Sequence, residues 1–397
     1  MKRLAIISTH PIQYNAPLFE LLAMRNIVEP KVFYTWGNAV LQKKYDPGFG
    51  KLIEWDIPLL QGYEYEFLEN VASDKGSHHF AGIDNPGIIE ALKLFGPDAI
   101  LVYGWSFKSH LKVLRTFKNK VPLWFRGDST LLDKESLIAA LKRRILLRWV
   151  YSYVDRAFYV GKANYDYFIA MGLKKSQLVF APHSIDNIRF ECKNDTCQKA
   201  ARSIREKLNI KESDLVFLFA GKLEMKKDPA LLLQAFTELN CSKNVHLVIV
   251  GNGDLETELK EKYLQIPRVH FMGFQNQMAM PAVYEMADVF ILPSKGPEET
   301  WGLSVNEAMA NGKVIFVSNK CGCAADLIEE GVNGFIFESM DYKDLMARMK
   351  FIVEKIEVIA SMKAASIKKI RSYNFTNIAQ SIEQEMQKNN SEEALHH

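Results

Sequence analysis

The sequence predicts an α/β fold with two doubly wound domains that face each other across a central cleft. Short apolar runs alternate with helical patterns through the first half of the 397 residues, and this alternation is typical of a parallel sheet covered by helices on both faces. A loop richer in polar residues is expected at 184–200, after which the alternation begins again. Because a chain of this length can bury two separate cores, each run of the pattern is interpreted as one domain.

Each predicted domain has its own series of elements. We place the first domain at 1–192 and the second at 200–370. A last helical stretch, about 344–388, is long enough for its end, about 371–390, to pack back on the first domain. The first series has strands RLAIIS, VEPKVFYT, AILVYGW, PLWFRG, RAFYVG and LVFAPH with helices near 16–25, 86–96, 107–118, 134–153 and 163–171. The second has strands LVFLFAG, VHLVIVG, VHFMGF, DVFILPS, VIFVS and GFIFE with helices at 229–239, 254–264, 278–287, 303–311 and 323–330.

The composition is that of an ordinary globular protein, with 48% hydrophobic and 24% charged residues. A formal charge of +3 is too small to indicate a nucleic-acid partner. The first apolar run is too short for a signal peptide, and none approaches the roughly 20 residues of a membrane-spanning helix, so a cytoplasmic protein is expected. The cysteines lack paired zinc-ligand spacing, and we assign no metal or redox role to the closest two, Cys321 and Cys323. The final His396 and His397 resemble a purification-tag remnant.

Glu299 and Glu307 stand eight positions apart in GPEETWGLSVNEAMANG, the most informative segment of the chain. The segment follows a predicted buried strand and runs into a short amphipathic helix. Gly302 lets the backbone approach a ligand, and the helix after it offers unpaired N–H groups to an anion. The two carboxylates flank that position and can accept hydrogen bonds from sugar hydroxyls. A phosphate site between two such acceptors suits a nucleotide sugar.

Lys222 and Lys227 lie on the loop that follows the strand LVFLFAG. On a loop that leaves a buried strand, both ammonium groups can reach one diphosphate, each contributing about 1.5–3 kcal/mol in a dry site. The alternative is a solvated turn that ends in a helix, with Asp228 as its cap and Pro229 at its first position. Together with the carboxylate segment, the loop favours the phosphate role.

Two further strand ends lie at the predicted ligand edge of the second domain. The turn 251–253 (GNG) lacks the third glycine of a dinucleotide fingerprint and is interpreted as a tight βα turn, which argues against an NAD-dependent enzyme. Backbone groups of Gly273 and Phe274 can pair with a base edge or form a plain strand end. Tyr284, in the following helix, is interpreted as a core residue.

Three loops of the first domain also follow predicted strands. His10 lies directly after the first strand, where it can touch a sugar or an acceptor hydroxyl or serve as a structural turn residue. Arg126 can bind a phosphate and Asp128 can orient an acceptor hydroxyl; an internal Arg–Asp pair is the alternative. The rings of Tyr103 and Trp105 suit stacking on a sugar face as well as plain packing.

Segment 134–153 has the pattern of a basic amphipathic helix. Such a helix can lie on an anionic membrane surface, which would make the protein peripheral to the membrane. The alternative is that its apolar face packs into its own domain. The pattern places Lys142, Arg143, Arg144 and Arg148 beside Leu137, Ile138, Leu141, Ile145 and Trp149.

The chain resembles the retaining glycosyltransferases of family 4, which have the GT-B fold of two Rossmann-like domains, and 215–338 carries the specific part of the resemblance. GKLEMKKD is similar to the family's G-R-L-x-x-x-K-G loop, and ETWGLSVNEAMANG is similar to its E-x-F-G-L-x-x-x-E-A-M-A-x-G block. The resemblance implies that Lys222 and Lys227 hold the nucleotide diphosphate, while Glu299 binds the donor sugar and Glu307 binds the ribose hydroxyls. The donor site that it implies also includes the backbone around Thr300, Trp301, Gly302 and Leu303.

Some positions depart from the family pattern. Lys222 replaces arginine, Asp228 replaces glycine and Trp301 replaces phenylalanine; the lysine keeps the charge but loses the bidentate fork. In the first domain, which the resemblance makes the acceptor-binding domain, HPIQYNAP replaces a glycine-rich loop and RGDS looks like the replacement of the family's histidine. Sequences that start with HPIQY resemble enzymes that build bacterial surface polysaccharides.

The resemblance implies the transfer of a sugar from a UDP or GDP sugar to a glycan or lipid-linked acceptor, with retention of the anomeric configuration. Glu299, Lys227, His10, Arg126 and Asp128 would act at the reacting centre. Lysines and a helix N-terminus can neutralise the leaving diphosphate, so neither a cofactor nor a metal is expected. The alternatives are a nucleotide-sugar 2-epimerase on the same fold, which converts the donor alone, and a non-catalytic nucleotide-sugar binding protein.

Overall fold

The computed structural model describes residues 1–37, 44–46, 51–53, 55–133, 135–239, 244–296 and 299–393, and only the backbone of 44–46, 51–53 and 389–393. Residue contacts divide the chain into two compact units. Unit 1 contains the described residues within 1–43, 58–183 and 375–397, and unit 2 contains those within 44–57 and 184–374. Each unit has its own parallel sheet, which confirms the predicted fold class of two Rossmann-like α/β domains.

The elements follow one another as the alternating pattern predicts. The strands are β1 (Lys2–Ser8), β2 (Val28–Tyr34), β3 (Lys44–Asp46), β4 (Lys51–Ile53), β5 (Glu64–Phe67), β6 (Ala99–Tyr103), β7 (Leu123–Arg126), β8 (Arg156–Tyr159), β9 (Leu178–Phe180), β10 (Leu215–Ala220), β11 (Val245–Val250), β12 (Val269–Met272), β13 (Val289–Leu292), β14 (Val314–Ser318) and β15 (Gly334–Phe337). The helices are α1 (Ala16–Arg25), α2 (Ile88–Phe95), α3 (Lys108–Phe117), α4 (Leu137–Tyr151), α5 (Lys162–Ala170), α6 (Asn187–Phe190), α7 (Asp195–Lys207), α8 (Pro229–Glu238), α9 (Glu256–Tyr263), α10 (Met280–Glu285), α11 (Leu303–Ala310), α12 (Ala324–Leu327), α13 (Tyr342–Glu354), α14 (Ile359–Ile370) and α15 (Phe375–Glu393).

Unit 1 is built on a seven-stranded sheet in the order β5-β2-β1-β6-β7-β8-β9. All of its strand pairs are parallel. The central strand β1 has four consecutive residues, Leu4 to Ile7, with no exposed surface, because helices cover both faces of a parallel sheet. The edge strand β5 was not predicted, since its apolar side chains alternate with Glu64 and Glu66. Those carboxylates lie 3.2 and 3.0 Å from Nζ of Lys31 on β2.

The last helix, α15, belongs to unit 1. It packs against α1, where Arg25 Nε lies 2.7 Å from Glu383 Oε1. A second ion pair joins Arg156 Nε to Glu385 Oε2 at 2.9 Å. Both glutamate side chains are only 5% exposed, so removing either arginine would leave a buried carboxylate with fewer partners, which is costly.

Unit 2 is built on a six-stranded sheet in the order β12-β11-β10-β13-β14-β15. Its strand pairs are parallel, and β3 and β4 form a separate antiparallel pair. In an open parallel sheet, ligands bind at the carboxyl ends of the strands. Among the described helices, none combines the length and the apolarity that crossing a bilayer requires.

Two sequence expectations are wrong in detail. The stretch 344–388 is not one continuous helix, since α13, α14 and α15 divide it. The segment 184–200 was expected to be a loop, but it contains α6 and the start of α7, which begins after a side-chain cap from Asn194. A disulfide joins Cys192 to Cys197 in this segment. Disulfides are typical of oxidising compartments, and the expected cytoplasmic location stays a prediction.

His110 connects two loops at the carboxyl edge of the unit 1 sheet. Its Nε2 lies 2.9 Å from Thr35 Oγ1, after β2, and its Nδ1 lies 2.8 Å from the carbonyl oxygen of Gly104, after β6. The side chain is fully buried. Burial lowers the pKa of His110 from its ordinary value of 6.5 to about 4, so the folded protein holds this imidazole neutral.

We predict that His110 makes the protein less stable as the pH falls through the range from 6.5 to about 4. The folded pKa lies below the unfolded value, so the unfolded chain binds the proton more readily and stability is lost on acidification. Between about pH 7.5 and about pH 5.5 the loss should be about 1.4 kcal/mol. The measurement is the free energy of unfolding in urea. His110→Gln should reduce this pH dependence, whereas the control Lys112→Gln, at an exposed residue of the same helix, should leave it unchanged. Equal pH dependence of the free energy of unfolding in both variants would contradict the prediction.

Candidate donor-binding site

The candidate site lies at the carboxyl edge of the unit 2 sheet, where β13 ends and α11 begins. The four residues of β13 have no exposed surface, and the chain then passes Ser294 and Glu299 before it enters the helix. Ser294 is fully buried and Glu299 is 8% exposed. Ser294 Oγ donates a hydrogen bond to Glu299 Oε2 at 2.8 Å. The strand end therefore orients the carboxylate that was predicted to bind the donor sugar.

Lys227 is the second partner of Glu299. Its ammonium group contacts the same carboxylate oxygen, Oε2. The Lys227 side chain is 17% exposed and the Glu299 side chain 7% exposed. Because both charges are largely removed from water, their attraction is stronger than that of a surface ion pair, and each would be costly to bury alone. The structure thus brings together the residues predicted to bind the diphosphate and the sugar of one donor.

The loop that carries Lys227 is joined to the loop after β13. The amide of Lys295 donates to the carbonyl oxygen of Lys226 at 2.9 Å, and Lys295 Nζ lies 3.5 Å from Asp228 Oδ1. Asp228 precedes Pro229, as predicted for a helix start, but its side chain does not cap α8. It pairs with Lys295, so the predicted side-chain cap is wrong. Since β10 and β13 are neighbours in the sheet, these contacts fix the two loops side by side.

The turn 251–253 supports the part of the loop that carries Lys222. The amide of Leu223 donates a hydrogen bond of 2.9 Å to the carbonyl oxygen of Asn252, the middle residue of the turn. A Cβ on Gly251 would lie 1.9 Å from the carbonyl oxygen of Gly221, so only glycine permits this approach. The geometry agrees with the interpretation of a tight βα turn. Its glycines bring two backbones together directly behind Lys222.

Gly302 opens the N-terminus of α11. Its φ is +99°, and a Cβ there would lie 2.7 Å from Leu292 Cδ2, so a side chain is excluded both by backbone conformation and by space. Gly302 occupies the capping position and has no side chain with which to cap the helix. The first N–H groups of an α-helix have no acceptor within the helix. Those of α11, starting at Leu303, therefore form a suitable anion site near Glu299.

Tyr284 and Asn306 were not assigned to the site from the sequence. Each of them holds a residue that was predicted to belong to it. Tyr284 Oη donates to Glu307 Oε2 at 2.7 Å, and Trp301 Nε1 donates to Asn306 Oδ1 at 2.8 Å. All four residues are buried. The interpretation of Tyr284 as a core residue missed its contact with the carboxylate, because no spacing within a helix links it to α11.

The turn 321–323 supports the backbone beside the catalytic candidates. Gly322 donates its amide to the carbonyl oxygen of Glu299 at 3.1 Å, and a Cβ on Gly322 would lie 1.7 Å from the carbonyl oxygen of Thr300. The flanking thiols are buried and not disulfide-bonded. Burial raises the pKa of Cys321 to about 12, which keeps the thiol protonated and unreactive. This turn acts as a backbone support.

Gly273 and Phe274 follow β12 as predicted. Phe274 donates its amide to Asn252 Oδ1 at 2.6 Å, and the carbonyl oxygen of Gly273 accepts from Gln275 Nε2 at 3.1 Å. These bonds tie the end of β12 to the turn after β11. Because the Phe274 amide already has an acceptor, pairing with a base edge would require other groups of this segment, and that role stays a prediction.

Arg126 is the last residue of β7, at the carboxyl edge of the unit 1 sheet. It is 6% exposed, and its Nη1 and Nη2 donate to the carbonyl oxygens of Ala181 at 2.8 Å and Pro182 at 3.1 Å. The guanidinium therefore holds the segment that follows β9. Its predicted contact with a phosphate stays a prediction that would require these bonds to change.

Asp128 and His10 lie at the same edge of unit 1. Asp128 Oδ2 lies 3.5 Å from His183 Nε2, a residue that the sequence analysis did not select. Burial lowers the pKa of His183 although Asp128 acts in the opposite direction. His183 is the last residue of the predicted strand LVFAPH, and its position at a strand end was the available signal. His10 Nδ1 lies 2.9 Å from Thr9 Oγ1, and its ring packs edge-on against Trp36.

Part of the chain is similar in sequence to known proteins. Residues 201–369 match the family described as Glycosyl transferases group 1. The chain is 30% identical over 198 residues to the lipopolysaccharide 1,2-N-acetylglucosaminetransferase of Salmonella typhimurium, covering 46% of this chain and 51% of that protein. It is 32% identical over 130 residues to the GDP-mannose-dependent alpha-mannosyltransferase of Corynebacterium glutamicum, covering 32% and 29%. The chain thus spans about half or less of the length of these relatives.

The whole fold also has solved counterparts. The crystal structure of Anabaena HepE in complex with UDP superposes with a TM-score of 0.73 at 18% identity, covering 98% of this chain and 100% of that one. The predicted donor residues in unit 2, from Lys222 to Glu307, all fall within the matched segment 201–369. The chain has the GT-B fold, and its segment 201–369 is similar to the group 1 glycosyltransferases.

Proposed function

We propose that this protein is a retaining glycosyltransferase. It would transfer a sugar from a UDP or GDP sugar to a glycan or lipid-linked acceptor, in the cytoplasm, during surface polysaccharide synthesis. One observation carries the proposal: the buried contact of Lys227 with Glu299 lies in the same strand-end site as the uncapped N-terminus of α11. This combination of cation, carboxylate and amide dipoles suits a sugar diphosphate.

The relatives support the chemical class of the donor. HepE binds UDP in its crystal structure, and the Corynebacterium relative is named for its use of GDP-mannose. The Salmonella relative is named for the transfer of N-acetylglucosamine to lipopolysaccharide, which supports a surface-glycan acceptor. The relatives therefore support either uracil or guanine as the base of the donor, and a binding experiment with both nucleotides distinguishes them.

The proposed chemistry depends on the leaving diphosphate. As the sugar–oxygen bond breaks, negative charge grows on the diphosphate, and Lys227, Lys222 and the amides of α11 would stabilise it. The acceptor hydroxyl would attack from the face that the diphosphate leaves, and a donor phosphate oxygen would take its proton. The anomeric configuration is then retained. Because cationic side chains neutralise the leaving group, we propose that this step needs no divalent metal.

We predict that Lys227→Ala weakens binding of the nucleoside diphosphate. Loss of one charge-assisted contact of about 1.5–3 kcal/mol should reduce affinity about 10- to 150-fold. Isothermal titration calorimetry with UDP, GDP, ADP and CMP identifies the base and measures the loss. The matched control is Lys226→Ala, which removes the neighbouring lysine, a side chain 36% exposed that pairs with Glu224. If wild type and Lys227→Ala bind the nucleoside diphosphate with equal affinity, Lys227 does not contribute to its binding.

We predict that Glu299→Gln reduces transfer at least about tenfold without unfolding the protein, because it removes a charge from the reacting centre while keeping the side-chain size. NMR of the reaction with the donor identified above measures both the rate and the anomeric configuration of the product. Glu224→Gln, on the same loop as Lys227 and 25% exposed, is the control. A product of inverted configuration would contradict retention, and conversion of the donor without any acceptor would favour an epimerase.

The helix α4 supports contact with a membrane. Its inner face buries Leu147 and Val150, while seven apolar side chains on or just before the helix are exposed, which does not fit the alternative that the apolar face packs into unit 1. An exposed apolar face flanked by cations matches an anionic bilayer surface. The exposed apolar residues are Leu131, Leu137, Ile138, Leu141, Ile145, Leu146 and Trp149, and the exposed cations are Lys142, Arg144 and Arg148.

We predict that the protein co-sediments with vesicles that contain phosphatidylglycerol, and much less with pure phosphatidylcholine. Each basic residue near the surface contributes about 1 kcal/mol to such binding, so added salt should release the protein. Leu141→Glu with Ile145→Glu should abolish binding to both. Leu94→Glu, at an apolar residue of α2 that is 89% exposed, is the control. Unchanged sedimentation of the α4 variant would contradict membrane contact, and a change of oligomeric state instead would assign the face to self-association.

A further inference from the structure

We propose that the loop 70–84 of unit 1 binds a divalent transition metal of the zinc class through Asp74, His78 and His79. One ligand atom from each of these side chains lies within 4.8 Å of the other two. The loop is separate in sequence from the donor-binding residues of unit 2, and the proposed site does not depend on the sugar-transfer chemistry.

Two of the three distances between the donor atoms are close to those of a tetrahedral ion. Asp74 Oδ2 lies 3.1 Å from His78 Nε2 and 3.2 Å from His79 Nε2. In a tetrahedral zinc site with bonds of about 2.0–2.1 Å, adjacent ligand atoms lie about 3.3–3.4 Å apart. The two imidazole–carboxylate distances therefore need to change by only a few tenths of an ångström to accept an ion. An ion would replace the present hydrogen-bond contacts of these imidazoles, of which His78 Nε2 contacts the carboxylate of Asp74 and His79 Nε2 also lies 3.1 Å from the carbonyl oxygen of Asp74.

The loop is held in this shape by its own hydrogen bonds. The buried carboxamide of Asn70 donates to the carbonyl oxygen of Gly82 at 2.9 Å and accepts from the amide of Asp84 at 3.0 Å. Gly76 donates to the same carbonyl of Gly82 at 3.1 Å, and a Cβ on Gly82 would lie 2.2 Å from the carbonyl oxygen of Gly76. Since the loop is closed at its ends and at its middle, little ordering would be required when a metal binds.

The ligand set selects the class of metal. Imidazole nitrogen suits zinc, copper, nickel and cobalt, whereas magnesium and calcium prefer oxygen ligands. Three protein ligands leave the fourth tetrahedral position for water or another ligand, which is the arrangement of an open zinc site.

The same histidines border a cavity. A pocket of about 470 Å³ is lined by His78, His79, Phe80, Trp105 and Phe107, among others. An ion held by the two histidines would therefore lie at the edge of a space large enough for a small ligand. Its open coordination position could bind a carboxylate, phosphate or hydroxyl group of such a ligand.

The test is zinc binding by the full chain, measured by competition with a chromophoric chelator. The variant His396→Ala with His397→Ala serves as the reference protein, because those two histidines could bind zinc by themselves. We expect one equivalent of zinc in this background. Loss of a residue that only supports a metal ligand lowers metal affinity about 10- to 100-fold. Loss of a ligand itself should lower the zinc affinity by at least as much. Asp74→Asn, His78→Ala and His79→Ala should each show this loss, while Lys75→Ala, at an exposed neighbour in the loop, should bind as the reference does.

X-ray absorption at the zinc edge provides a second, independent measurement. The loaded reference protein should show zinc–nitrogen distances of about 2.0–2.1 Å with the scattering pattern of imidazole, and His78→Ala should lose part of it. The proposal is overturned if the reference protein binds no zinc, or if the three ligand variants bind it as tightly as Lys75→Ala. Circular dichroism of each variant shows that a loss of zinc binding does not come from unfolding.

Discussion

The contact between Lys227 and Glu299 is the interaction on which the proposed site depends. It joins the loop after β10 to the turn before α11, and the sheet places these two segments side by side because β10 and β13 are adjacent strands. Both side chains are largely buried, so water screens their attraction less than it would screen a surface ion pair. Ser294 fixes the shared oxygen of Glu299, and Gly322 fixes its backbone. The position of the carboxylate is therefore set by three separate segments of unit 2.

The fold and the central residues of the site could be predicted because local sequence patterns carry them. Strand–helix alternation predicted the two parallel sheets, and each predicted site residue of unit 2 lies on a segment that runs from the end of a strand into the following helix. Supporting residues could not be predicted in the same way. Tyr284 contacts Glu307 from a different helix, and Gly322 reaches Glu299 from a turn beyond the next strand. Such contacts depend on tertiary packing, which cannot be deduced from the spacing of residues along the chain.

The misassigned elements have equally physical reasons. The strand β5 alternates glutamates with aromatic residues, and its pairing is stabilised by Lys31, a residue of another strand. The segment 184–200 has a polar composition, but α7 begins there at a side-chain cap from Asn194. The stretch after 344 has the composition of a helix throughout, and the two breaks that divide it into α13, α14 and α15 do not occur at proline or glycine.

Lys227 and Arg126 show why the two units suit different tasks. Both cations lie at the carboxyl edge of a parallel sheet, but Arg126 donates to two backbone carbonyls, whereas Lys227 contacts a carboxylate. Moving Arg126 to a ligand would leave buried carbonyl groups without these bonds, which is unfavourable. If Lys227 turned towards an incoming diphosphate, Glu299 would keep its bond from Ser294 and could accept a further one from a sugar hydroxyl. In such an exchange each group keeps a hydrogen-bond partner, which favours unit 2 as the place where a charged donor binds and leaves.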